Sequence, residues 1–298
     1  MQNRILLIVT ICLSIIYLFM SGRNTTFFYT EPNITIKDSE TNNISSLNLE
    51  EYIIGVVASE MPASFNEEAL KAQAIASRTY AVYKMQKSKG DYDVVTDVSN
   101  QGYITIDEMK TKWGDDYLKY YNKIKNIVLE TKGKIMLYNG EIIEAYYFAM
   151  SNGYTEDVSL VFSEDRDYLQ SVESTYENEN LKNFEVSKNY SKKDICTKLE
   201  IKCNELNISN IIRSKTGRVN SLKINNKEIK GTEFRSKLGL RSTDFDIKID
   251  NENIIITTRG YGHGVGMSQY GANGMADAGY NYEEILKYFY KNIEIASI

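Results

Sequence analysis

Hydrophobic spacing changes several times along this chain, and each change marks an element. The uncharged run ILLIVTICLSIIYLFM, residues 5–20, follows a short segment carrying Arg4 and ends at Ser21-Gly22-Arg23. It falls slightly short of the roughly 20 apolar residues that span a bilayer comfortably. A cleaved signal peptide and an uncleaved anchor share that outline. Large residues Tyr17, Leu18, Phe19 and Met20 stand where small ones would precede a cleavage site, which favours an anchor over residues 1–23. Residues 24–46 are rich in Asn, Thr and Ser and contain Pro32, the composition of a tether.

Beyond the tether, Asn48 with Glu51 has the spacing of an N-cap and its reciprocal acid, opening a helix through Tyr52, Ile53, Val56 and Val57. Pro62 pushes Met61 out of helical geometry, so that helix should stop near Glu60. Ser64 with Glu67 repeats the cap spacing and starts a longer helix that places Leu70, Ala74, Ala81 and Met85 on one face and ends at Lys87-Ser88-Lys89-Gly90. A third helix is expected over residues 107–130. Asn139-Gly140 then turns a hairpin between residues 134–137 and 141–150. From 167 to 253 the pattern mixes strands at 218–224, 245–249 and 253–258 with short helices at 192–198 and 232–238. The reading is an α+β fold: one domain over residues 47–298, with 167–253 as an insertion or subdomain.

A chain of 298 residues with 42% hydrophobic content can bury a substantial core. A net charge of -5 and a pI near 5.3 argue against nucleic acid as a partner, because binding phosphates requires a basic surface. Cys12 lies in the apolar run. Cys196 and Cys203 remain for the exported part, either as a small disulfide loop or as two free thiols. No second Cys pair or His cluster accompanies them, so zinc is not expected there.

The segment with the most chemical content is Val57-Ala58-Ser59-Glu60-Met61-Pro62. It places one carboxyl among apolar residues at a helix C-terminus. Apolar neighbours penalise the charged form and the negative end of the helix dipole disfavours an anion, so Glu60 should hold its proton and be able to hand it to a leaving oxygen.

Residues 55–81, GVVASEMPASFNEEALKAQAIASRTYA, and residues 259–276, RGYGHGVGMSQYGANGMA, resemble the two signatures of the SpoIID family, the sporulation lytic transglycosylases of peptidoglycan. The resemblance runs from about 47 to 290 and is weak between about 167 and 253. It implies that Glu60 is the catalytic residue and that one carboxyl suffices. Most glycoside hydrolases use two carboxyls. A lytic transglycosylase instead lets the C6 hydroxyl of the muramic acid ring attack the anomeric carbon, leaving a 1,6-anhydro sugar. The family also implies a role in engulfment, a preference for strands stripped of stem peptides, an amidase and other engulfment membrane proteins as partners, and a single-pass protein with its domain outside the membrane. Relatives known as amidase modifiers supply the rival reading: a wall-binding protein that does no chemistry.

Further candidates come from the same two blocks and the stretch between them. Arg78 needs an anion, read either as an internal one such as Glu144 or Asp97, or as part of a clamp on the lactyl carboxylate or sugar hydroxyls of the substrate. Gln101 and Tyr103 match a family Gln-x-Tyr segment. Some relatives carry Cys and His just ahead of it, but Ser99 and Asn100 stand here, so neither metal nor other cofactor is expected. Ser151 and Asn152 follow a strand whose Tyr146 and Phe148 read as core, and Glu156 is a possible second carboxylate for a hydrolase. His263, the only histidine, sits in Gly260-Tyr261-Gly262-His263-Gly264-Val265-Gly266, whose glycine spacing does not fit a dinucleotide loop. Beside it, Ser268, Gln269 and Tyr270 complete the expected cleft.

Overall fold

The computed structural model describes residues 32–298 apart from 98, 178–180, 203–205 and 251–252. The chain divides into two units, and every helix and strand named here belongs to the larger, Asn33–Ser297. Among the described residues no helix is long and apolar enough to cross a membrane. The expected anchor at residues 1–23 lies outside them.

The tether expected through residue 46 ends earlier. Strands β1 (Asn33–Lys37) and β2 (Ile44–Asn48) pair antiparallel and bury Ile34 and Ile36 on one face, a period-two signal set in an otherwise polar stretch. Helix α1 (Leu49–Glu60) comes next, with the Asn48 side chain accepting from the N–H groups of Glu50 and Glu51. It ends where Pro62 requires, at an extended Met61 with φ -118 and ψ 146. Helix α2 (Glu67–Lys87) is capped by Asn66 and not by Ser64, because Phe65 closes a turn onto the Pro62 carbonyl first. Residues Ala69 to Ala81 of α2 are almost all buried, so this helix is the axis of the main core.

After the short β3 (Val94–Val95), which joins β1, the expected third helix is broken in two. Helix α3 (Ile106–Trp113) stops at Gly114, whose φ of +51 no helix accommodates, and α4 (Tyr117–Glu130) restarts after a single 3-10 turn. Strands β4 (Lys134–Tyr138) and β5 (Glu141–Ile142) form the expected hairpin. Asn139 and Gly140 both have positive φ, as a two-residue turn matched to strand twist needs. The second strand does not continue to 150: β6 (Tyr147–Phe148) leaves to pair elsewhere. Beyond it lies a short helix, α5 (Val158–Phe162).

A second core, from Tyr190 to Ile256, lies largely within the expected insertion. Strand β7 (Glu185–Ser191) and helix α6 (Lys192–Leu199) lead into the meander β8 (Ile208–Arg213), β9 (Val219–Ile224) and β10 (Lys227–Lys230). Helix α7 (Gly231–Leu238) precedes β11 (Phe245–Asp250) and β12 (Asn253–Arg259), and β12 pairs on its other side with β7. Cys196 on α6 is disulfide-bonded, and Cys203 lies outside the described residues.

The chain then returns to the main core. Strand β13 (Met267–Ser268) runs parallel to β6, helix α8 (Gln269–Asp277) packs on α2, α9 (Tyr282–Phe289) comes after it, and β14 (Glu294–Ser297) closes the β4–β5 sheet. Segments far apart in sequence, α1 and α8, thereby come to flank one cleft.

Candidate active site

Glu60 closes α1 and opens onto a cleft of about 560 Å³. Its carboxyl is held from two sides: the Gly102 N–H donates to Oε1 at 2.7 Å and Gln269 Nε2 donates to Oε2 at 3.2 Å. Burial raises its pKa above the ordinary 4.5, while these two donors and the Lys112 ammonium pull the other way. Lys112 also donates to the Ala58 carbonyl at 2.8 Å, satisfying one acceptor that the helix end leaves open. The result is an acid whose proton is held more tightly than an ordinary glutamate's and whose anion has partners waiting.

Behind Glu60 runs a polar network that sequence reasoning reached only at its ends. Gln269 also donates to Gln73 Oε1 at 3.4 Å, Gln73 to Ser77 Oγ at 2.9 Å, and Gln101 Nε2 to the Tyr147 hydroxyl at 2.9 Å and the Ser77 carbonyl at 3.2 Å. Tyr52 closes it with a bond to Gln101 Oε1 at 3.2 Å. Gln73 was missed; its signal was a polar pair four residues apart, Gln73 and Ser77, on the alanine-rich face of α2.

Of the expected residues, Glu60, Gln269 and Tyr270 line the cleft, with Tyr270 edge-on to Phe65 at 5.0 Å between ring centres. The others are placed elsewhere. Arg78 is wholly buried and donates from Nε and Nη2 to the Glu50 carboxylate at 2.9 and 2.6 Å. Its anion is therefore internal, but it is neither Glu144, which pairs with Lys84 and Arg166, nor Asp97. Gln101 sits behind Glu60 in the polar network. Tyr103 stacks on Tyr52 at 5.5 Å and borders a separate groove with Leu47 and Ile54.

Ser151 is buried, with its N–H on Glu177 and its Oγ accepting from Gly153. Asn152 donates to the Thr216 carbonyl and to Asp244, tying the main core to the second one. Ser268 caps α8 and donates to Glu177 at 2.6 Å, so it orients the start of the helix that carries Gln269. His263 is packed among Tyr146, Phe148 and Phe162, its Nδ1 accepting from the Val265 N–H, and burial followed by the nearby Arg235 charge pushes its pKa down to about 3. It is a neutral structural residue. Glu156 accepts from Ser214 and Thr216 at 2.6 Å each and does not line the cleft, so it is no second carboxylate for Glu60.

The rest of the cleft wall had little signal in the sequence: Trp113 and Tyr120 on one side, Lys182, Asn183, Arg241 and Tyr261 on another. Trp113 is the only tryptophan, and Tyr261 belongs to the glycine-rich block, but nothing in the local sequence marks Arg241. Among the described residues no group of His, Cys, Asp or Glu is arranged to hold a metal ion. Where relatives would carry Cys and His, Ser99 bonds to Asp97 and Asn100 accepts from the Val95 N–H.

The class this defines is an α+β domain in which, among the described residues, one carboxyl of raised pKa lines an open cleft walled by aromatic, amide and cationic groups. The chain belongs to the SpoIID family of stage II sporulation proteins, whose family model matches residues 37–138. It is 40% identical to stage II sporulation protein D of Bacillus subtilis over 273 residues, covering 89% of this chain and 79% of the relative. Against stage II sporulation protein D of Bacillus amyloliquefaciens the identity is 39%, with 89% and 78% covered. It is also 29% identical to a B. subtilis protein named amidase enhancer, covering 82% of this chain and 40% of that one.

Proposed function

We propose that this protein is a lytic transglycosylase that cuts peptidoglycan glycan strands, stripped of stem peptides, to 1,6-anhydro-muramyl products during sporulation engulfment. One observation carries the reading: among the described residues Glu60 is the only carboxyl lining the cleft. A hydrolase of the usual kind needs a second carboxyl to activate water or attack carbon. A transglycosylase does not, because the substrate brings its own nucleophile.

The steps follow from the groups present. Protonated Glu60 gives its proton to the glycosidic oxygen as the bond from that oxygen to the anomeric carbon breaks. The carboxylate so formed is stabilised by Gly102, Gln269 and the nearby Lys112. It then takes the proton of the C6 hydroxyl as that oxygen bonds to the anomeric carbon, and Glu60 is protonated again. Trp113, Tyr120 and Tyr261 offer ring surfaces to the apolar faces of sugars. The apolar run at residues 5–20 would hold the protein at the membrane with its domain on the septal, extracytoplasmic side. An amidase that removes stem peptides would act before it, alongside other engulfment membrane proteins.

The name of the third relative supports a second reading, a wall-binding protein that stimulates an amidase without cutting glycan. Mass spectrometry of stripped wall glycan digested with the full chain separates the two. Anhydro-muramyl ends that disappear with Glu60→Gln support cleavage. Their absence, with amidase stimulation retained in Glu60→Gln, supports the modifier.

A further inference from the structure

The cleft has a cation-rich wall for which acid chemistry at Glu60 gives no reason. Arg241 lies with its guanidinium carbon 4.0 Å from the centre of the Tyr261 ring, and Tyr261 is 46% exposed. Among the described residues, the one hydrogen bond Arg241 donates is from Nη2 to the Asn183 carbonyl at 3.3 Å, and its Nε is buried without a partner. Next to it, Arg235 donates only to the Arg241 carbonyl, at 3.3 Å. Neither forms an ion pair with a described carboxylate, and Lys182 lines the same wall.

Acid is not scarce in this chain, whose net charge is -5. Arg78, Arg166, Arg213 and Arg259 each have a carboxylate within ion-pair distance, and Asp244 and Asp246, close in sequence to Arg241, serve Arg213 and Arg259 instead. Arg218 likewise has no carboxylate within ion-pair distance, but it is buried on Ser242 and the Tyr154 carbonyl; among the described residues Arg241 is the arginine that lines the cleft, and it has no counterion there. The Tyr261 ring and the Asn183 carbonyl hold the Arg241 guanidinium at the cleft wall, and a guanidinium so held has N–H groups to donate to a carboxylate.

We propose that Arg241 and Tyr261 form a subsite for a pyranose ring bearing a free carboxylate, Tyr261 supplying ring contact and Arg241 reading the acid. In a wall glycan that acid is the lactyl group of a muramic ring whose peptide has been removed; the same group joined to a peptide is a neutral amide and offers no anion. Arg241 thus takes the ligand role that the sequence left open for Arg78. The proposal rests on the glycan reading of the cleft for its ligand, but not on turnover.

The test is calorimetric binding to the full chain carrying Glu60→Gln, so that no cleavage intervenes. The ligands are a muramyl-containing tetrasaccharide with free lactyl acids and the same tetrasaccharide as its methyl amide. The acid should bind about tenfold or more tightly, the scale of a hydrogen-bonded charge pair. Adding Arg241→Gln should bring the two ligands within about twofold of each other, and Tyr261→Ala should weaken both alike. Arg241→Met replaces the Gln variant should that one fail to fold. An acid preference that persists without Arg241, or equal binding of acid and amide with Arg241 present, overturns the proposal. Failure of the transglycosylase reading would appear separately, as unmodified chain that binds acid glycan with the preference but releases no anhydro product.

Discussion

Arg78 and Glu50 form a two-pronged pair, Nε to Oε1 at 2.9 Å and Nη2 to Oε2 at 2.6 Å, that locks α2 to the start of α1. The same guanidinium reaches the carbonyls of Val128 and Lys134, and the Gly133 N–H donates to Glu50, so the turn between α4 and β4 hangs on this pair as well. The motif's arginine therefore acts on the site by holding its scaffold.

Removing one partner leaves a buried charge uncompensated. Glu50→Ala should lower unfolding stability by about 3–5 kcal/mol, read as a drop in the urea midpoint. The preference of the Glu60→Gln chain for acid over amide glycan should be unchanged in any fraction that still folds. A stable Arg78→Met protein that lost only that preference would return Arg78 to the ligand site.

Glu60 has its folded pKa raised by burial, which fixes the sign of two pH effects. Protonated Glu60 begins the reaction, so cleavage should be full at low pH and fall as the pH climbs through the raised value. For stability, the unfolded glutamate ionises near 4.5 while the folded one still holds its proton. The stability held below 4.5 is thus lost as the pH rises through the folded value. Glu60→Gln, which stays neutral, should accordingly melt higher than the unmodified chain above that value, with the gap closing toward pH 4. Calorimetric melts across the pH range would show it, and a Glu60→Gln protein less stable at pH 8 than its parent contradicts the assignment.

Gln269 tunes the same carboxyl. It donates to Oε2 at 3.2 Å, and a donor favours the charged form. In Gln269→Leu the Glu60 pKa should rise further, moving the alkaline limb of the pH–rate profile upward. The maximal rate should fall, because the carboxylate intermediate loses a partner. A lower rate with an unmoved limb would show that Gln269 only fills space.

How much of this was legible depended on whether the signal was local. Pro62 after an apolar run located the end of α1 and hence Glu60. Asn139-Gly140 located its hairpin. Gly114 and the Phe65 turn are equally local, yet each is one residue set against a strong helical pattern, and the pattern prevailed in the reading. The site's second half was legible only through the family resemblance, because Gln269 reaches Glu60 by the pairing of β13 with β6 across more than a hundred residues of chain. Motif membership did not reveal which way a side chain faces. Gln101 and Ser268 belong to the site's supporting network, Asn152 and His263 pack away from the cleft, and the cleft-lining Arg241 lies outside both signatures.

Two glycines separate placement of the acid from stability of the fold. At Gly102 a Cβ would meet Ser59 Oγ at 2.7 Å and Glu60 Oε1 at 3.0 Å, so the small residue there lets its N–H reach the carboxyl. Those contacts are side-chain ends, which can swing aside. Gly102→Ala should therefore fold with a melting temperature within about 3 °C of the parent, yet lose at least tenfold in glycan cleavage as Glu60 is displaced. Gly266 has φ +77, and a Cβ there would run into the Tyr146 backbone carbonyl, beside the β13–β6 pairing that positions Gln269. Backbone cannot swing aside, so Gly266→Ala should be destabilised or fail to accumulate. Measured together by melting and by product release, the pair should dissociate: activity lost without stability at 102, both lost at 266. Loss of stability at both positions would mean that Gly102 serves packing and not the acid.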